Sequence, residues 1–275
     1  MKKFSIMFFL ILVVALFACK QEEAGEKSEE TPTTTPTTKT AKELADEAAK
    51  KAEDEKKKKD EEAAEKKARE EALTALKGEI TTYKTKMTNA KTTFDGLSSN
   101  KNEVAVPTQV TDVKTTDKDK IQASLGYDSA LHKELNETVT ALQLSGSSKT
   151  AEIKTVNDLL KMLVNLDDAT KKILDTHLKG DNLAKIEKDK AKIEKATKEL
   201  KEFIASRDEF IASAKATIKA AHTAKSTAST AKTELDKISD TTAVTTSTKA
   251  GEAGYCHAKL EAIKANETAL GDLVK

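Results

Sequence analysis

Four histidines, two cysteines and a large number of carboxylates and lysines are the residues of this chain that could do chemistry. His132, His177, His222 and His257 stand far apart, and none belongs to an HxxE or HExxH pattern that would bring two metal ligands onto one helical face. The one adjacent pair, Cys256 and His257, is a poor chelate, because neighbouring residues of a helix point about 100° apart. No GxGxxG, Walker or GxSxG segment offers a phosphate cradle or a nucleophile elbow. The carboxylates recur four residues before lysines, as in Asp46 and Lys50 or Glu62 and Lys66, which is the pattern of solvated helix faces and not of tuned acid–base pairs. No catalytic residue, metal ligand or cofactor site is therefore expected, and the chain reads as a non-enzyme.

The remaining cysteine, Cys19, has a different setting. Lys2 and Lys3 precede an apolar run from Phe4 to Phe17, short of the roughly 20 residues that cross a bilayer, and a secretory signal over residues 1–18 explains it better. Leu16, Phe17, Ala18 and Cys19 resemble the lipobox of bacterial lipoproteins, with Phe17 in place of the small residue common there. The resemblance implies cleavage by signal peptidase II before Cys19 and acylation of that cysteine. Several acyl chains give stable membrane attachment, since each buried CH2 contributes about 0.8 kcal/mol. With Cys19 acylated, Cys256 is the only free thiol. It is either a small buried apolar residue or a thiol that links two copies.

Composition narrows the partners. Setting Lys2 and Lys3 aside lowers the 47 basic side chains to 45, against 46 acidic ones, so no global charge favours nucleic acid. Aromatic residues make up 4% and tryptophan is absent, which is poor material for stacking bases. Only Arg69 and Arg207 are arginine, leaving little for bidentate recognition of phosphate or carboxylate.

Residues 19–40 carry no apolar period, and Pro32 and Pro36 forbid continuous helix or sheet. They read as a disordered tether that reaches on the order of 60 Å when extended at about 3 Å per residue. Residues 41–72 contain only charged residues, alanine and Leu44, nearly all strong helix formers. This predicts a solvated helical rod spanning about 48 Å, similar to the alanine-lysine-glutamate rods of envelope-spanning proteins. At Leu73 an apolar seam begins: Leu73, Leu76, Ile80, Tyr83, Met87 and Phe94 share one helical face up to a stop near Gly96. Further helices are expected over residues 117–144, with Gly126 weakening the middle by roughly 1 kcal/mol, over 150–178, over 181–238 with Asp181 as N-cap and a break near Ser226, and over 250–274. The alanines between Ala212 and Ala231 predict close helix packing. The fold class is all-α: an elongated bundle of about five helices over residues 73–275, preceded by the rod and the tether.

The lipobox, the polar tether, a lysine-rich and arginine-poor composition and an all-helical domain together resemble the plasmid-type surface lipoproteins of Borrelia, a spirochaete. The resemblance covers the whole chain but has no motif beyond the lipobox. It implies an outer-membrane, lipid-anchored protein facing the cell exterior, which binds host macromolecules such as plasminogen, a complement regulator, fibronectin or a glycosaminoglycan in a non-catalytic or immune-evasion role. Lys275, supported by Lys264, is the candidate ligand-binding pair for a plasminogen kringle. Lys185, Lys188, Lys190 and Lys192 are the candidate glycosaminoglycan face, diluted by Glu187, Asp189 and Glu194. The alternative is a periplasmic structural spacer that docks another envelope protein.

Overall fold

The computed structural model describes residues 40–146, 148–241 and 249–275. The signal segment, the lipobox residues Leu16 to Cys19 and the tether up to residue 39 lie outside them. Among the described residues the protein is all-α, with eight α-helices and no strand. The chain divides into two compact units, Met1–Lys56 and Lys57–Lys275.

Helix α1 spans Ala41–Asp95. Its start is a reciprocal capping box: the Thr40 amide donates to Glu43 Oε2 at 2.8 Å, and the Glu43 amide donates to Thr40 Oγ1 at 3.4 Å. Every residue from 41 to 67 is exposed, as the absence of an apolar stripe requires. In the first unit the described residues are thus a bare charged helix. Beyond residue 56, ion pairs form in the base-to-acid order, at Lys57–Glu61, Lys66–Glu70 and Lys67–Glu71, with distances of 3.9–4.0 Å. Arg69 donates to the carbonyl of Lys188 at 3.3 Å. Long exposed side chains reach either neighbour at little cost, so the sequence order of acid and base does not select the contact.

From Leu76 onward α1 is half-buried, with Leu76, Ile80, Tyr83 and Phe94 in the core. A segment without regular structure follows, yet it is not loose. Val104, Val110 and Val113 are buried, and side-chain amides satisfy its backbone. Asn136 Oδ1 accepts from the Ala105 amide at 2.9 Å while its Nδ2 donates to the Glu103 carbonyl at 2.8 Å, and Asn157 Oδ1 accepts from Asp112 at 3.1 Å.

The single helix expected over 117–144 is two helices, α2 (Lys118–Ser124) and α3 (Ser129–Ala141). Gly126 at φ 72° and Tyr127 at φ 55° turn the chain, and Asp128 caps α3 by accepting from the Leu131 amide at 3.2 Å. Helix α4 (Thr150–Lys171) runs into a π-helical turn, Lys172–His177, before α5 (Gly180–Ala184). Asp181 is not the cap of the long helix: α5 is five residues long, and the cap is Asp189, which accepts from the Lys192 amide at 3.1 Å. The long helix α6 (Lys190–Thr223) ends before Ser226, and α7 (Ala228–Ser239) resumes. The last helix, α8 (Tyr255–Leu273), starts five residues later than expected, after Gly254 at φ 77°.

Helix α6 is the central element of the second unit and packs against α3, α7 and α8. Ala214, Ala221 and Ile218 are fully buried beside Ser213 and Thr217, so its alanine-rich half lies in close contact with neighbours, as the sequence predicts. Leu163 and Leu166 of α4, Leu235 of α7 and Ile263 of α8 complete the same core at 0% exposure.

Candidate binding cleft

The four histidines do not converge. His132 is the one that departs from a surface or loosely packed position: it is fully buried, edge-on to Phe94 with ring centroids 5.2 Å apart. Its Nδ1 donates to the Asn102 carbonyl at 3.0 Å, and burial pushes its pKa down, so the ring is a neutral core residue. His177 stands on the π turn beside Gly271 of α8. His222 Nε2 lies 2.8 Å from Glu137 Oε2, and Lys225 pairs with the same oxygen. Together they hold the Glu137 carboxyl down at about 2. His257 lies on the rim of a cleft of about 580 Å³ between α4, α7 and α8. Among the described residues no group of three or more His, Cys, Asp or Glu side chains could hold a metal ion.

Cys256 occupies the first of its two alternatives. It is 1% exposed, its Sγ is 3.9 Å from the Phe210 carbonyl, and burial pushes the thiol up to about 11. A thiol in that position is away from the surface on which a bridge between copies would form. Lys264 pairs with Glu261 at 2.8 Å and Lys275 with Asp272 at 2.5 Å, each three residues earlier. These are exposed pairs of little strength, which release their lysines readily. The lysines of 185–192 do not form one free face: Lys185 donates to the Val274 carbonyl at 2.8 Å, Glu187 pairs with Lys77 at 2.6 Å and Lys190 pairs with Glu194 at 3.5 Å.

A second cleft, of about 330 Å³, is more apolar and lies where α1, the Gly126–Tyr127 turn and α6 meet. Met87 and Ala90 come from α1, Ile211 and Ala212 from α6. Its charged lining is Lys86, Asp208, Lys215 and Arg207. Lys86 pairs with Asp208 at 2.7 Å, and Lys215 with Asp128 at 3.1 Å. Arg207 differs from all of these because it is buried, at 4% exposure.

The Arg207 side chain ties three helices together. Nε donates to Thr170 Oγ1 of α4 at 3.1 Å, Nη1 to Tyr83 Oη of α1 at 3.0 Å and Nη2 to the Ala123 carbonyl at the end of α2 at 3.0 Å. Its guanidinium carbon stands 5.8 Å from the Tyr83 ring centroid. Among the described residues no carboxylate lies within 4.0 Å of it. Asp167, fully buried, is the nearby acid whose charge Arg207 attracts, but burial dominates and raises its pKa. Lys171 Nζ stands 2.7 Å from Asp167 Oδ2 and partly offsets that burial.

On the outer side of the same turn, Tyr127 donates to Asp119 Oδ1 at 3.1 Å, and Lys91 pairs with that oxygen at 2.6 Å. Burial raises the Tyr127 phenol to about 12. The scarcity of arginine argued against carboxylate recognition, so sequence reasoning missed this region; the signal that could have found it is that one of only two arginines stands amid the apolar positions of a long helix. The contribution of the 126–127 turn had no sequence signal beyond Gly126 itself.

Comparison with known proteins finds no matching family model, no matching curated protein and no matching solved structure.

Proposed function

We propose that this protein is a lipid-anchored outer-surface lipoprotein whose helical bundle binds a host macromolecule without catalysing a reaction. One observation carries the reading: the lipobox-like Leu16-Phe17-Ala18-Cys19 at the end of an apolar segment is followed in the same chain by a helix whose residues 41–67 are all exposed. A helical stretch that buries no side chain contributes nothing to a core, and a spacer between an anchor and a binding domain is the use that such a segment fits. Charged residues and alanine keep it helical without a partner. Plasminogen through Lys275 and Lys264, a complement regulator, fibronectin and a glycosaminoglycan are the partners to screen.

No helix among the described residues is long and apolar enough to cross a membrane, so attachment in this reading rests on Cys19. Cells expressing the chain are labelled with radioactive palmitate, and Cys19→Ala is expected to abolish the label. Intact cells are then treated with proteinase K beside a periplasmic control, with lysed cells to establish that the protein can be digested. Loss of the protein while the control survives supports the surface reading. Survival until the outer membrane is opened overturns it in favour of a periplasmic spacer docking another envelope protein.

A further inference from the structure

We propose that the cleft between α1, the Gly126–Tyr127 turn and α6 is a binding site for a small monocarboxylate with an apolar body, and that Arg207 receives the carboxylate. The inference is independent of the lipid anchor and of the host-binding reading.

Arg207 is the central observation. A guanidinium has five N–H donors, and the three bonds to Thr170, Tyr83 and Ala123 leave one donor on each terminal nitrogen without a partner among the described residues. At 4% exposure the arginine has almost no water to make up the difference, and a buried charge is stabilised by an opposite charge that is also hydrogen-bonded. The other two cations of the cleft, Lys86 and Lys215, already have carboxylate partners at 2.7 and 3.1 Å. Arg207 is the lining cation without one. A carboxylate presents two acceptor oxygens to it, the geometry that arginine recognises best.

The rest of the lining fits an apolar body. Met87, Ala90, Ala123, Ile211 and Ala212 form most of the wall, with the Tyr127 ring beside the turn. Met adapts its shape to an incoming group, and the alanines leave the space that larger residues would fill. Small-molecule sites are commonly of this kind, mostly apolar with a few polar groups that fix orientation. A cleft of about 330 Å³ stands at the small end of the range for small-molecule sites. Asp208 sets the selectivity. Its carboxylate accepts from Lys86 and, at 3.3 Å, from the Tyr83 hydroxyl, so a dianion would meet repulsion that a monoanion with one charged end avoids.

The probe is 3-phenylpropionate, which has the right size and charge and forms no micelles. The purified full chain is titrated with it by calorimetry, with titration into buffer as the blank. Saturable binding with Kd at or below about 1 mM is expected, weakened at least tenfold when the acid is replaced by 3-phenylpropanol and again when it is shortened to propionate. Ala90→Leu, which fills the wall with a good helix former and touches no polar group, is expected to weaken binding at least tenfold, and Arg207→Met to do the same. Both variants are checked for helix content first, and Ala90→Leu carries the test if Arg207→Met does not fold. No saturable heat with the wild type, equal binding of the alcohol, or unchanged binding to Ala90→Leu would each overturn the proposal.

Discussion

Replacing Arg207 measures how a buried charge is held in this bundle. Each of its three acceptors has a second partner. The Thr170 hydroxyl donates to the Leu166 carbonyl at 2.7 Å, the Tyr83 hydroxyl reaches Asp208 at 3.3 Å, and the Ala123 carbonyl receives the Gly126 amide at 3.1 Å. Arg207→Met therefore keeps most of the volume and orphans none of these groups. Three charge-assisted bonds contribute about 1.5–3 kcal/mol each, but desolvation of the buried ion offsets several kcal/mol of that. A further cost comes from Asp167, which loses the attraction of Arg207 while remaining fully buried. The expected loss for Arg207→Met is about 2–3 kcal/mol at neutral pH. Arg207→Ala adds a void of side-chain size and reaches about 4–5 kcal/mol. Adding Asp167→Asn to Arg207→Met should recover about 1–2 kcal/mol, because it removes the stranded carboxylate. Lys171, 48% exposed, is then free to turn to water. Urea denaturation followed by helix circular dichroism reads all four chains. Equal losses for the Met and Ala variants, or a deeper loss on adding Asp167→Asn, would refute this account of the cluster.

Three further outcomes follow from the same structure. Burial depresses the folded-state pKa of His132 below the unfolded value of 6.5, so the unfolded chain binds the extra proton first. Stability should therefore fall as pH drops below about 6.5, and His132→Gln should flatten that slope in urea titrations at pH 5 to 7 while lowering stability throughout. Gly126→Ala meets no atom within 4 Å but must adopt φ 72°, so a loss of about 1–2 kcal/mol from backbone strain alone is expected in the same assay. Native Cys256, 1% exposed with its thiol pushed up to about 11, should react with a disulfide reagent at least about a hundredfold more slowly than in urea.

The parts of the fold readable in the sequence were those in which one local rule acted alone. Residues 41–72 contain no apolar period, so a charged helix was the one regular structure open to them, and α1 is that helix. The seam from Leu73 to Phe94 and the alanine-rich stretch of α6 also follow directly from spacing. Helix ends were legible where a glycine or a capping side chain had no competitor. They failed where two did: Asp181 and Asp189 both precede helical sequence, and only Leu183 and Ile186 packing into the core leaves Asp189 as the residue that opens α6. Gly126 was visible as a weak point, but the turn also needs Tyr127 at φ 55°, a strained state that Phe94, Lys91 and Asp119 hold from three different positions.

The cleft shows the same division. Residue types by themselves showed no familiar catalytic or metal-binding pattern and left Arg207 as a rare residue among the mostly apolar buried positions of a long helix. That Arg207 would meet Thr170, Tyr83 and Ala123, with no carboxylate among the described residues close enough to pair with it, is a product of chain segments tens of residues apart. The sequence determines helix by helix what must be buried, because hydrophobic periodicity is a local property. Only the tertiary structure decides which polar groups share the interior with an arginine, because burial removes the water that would otherwise make every such pairing equivalent.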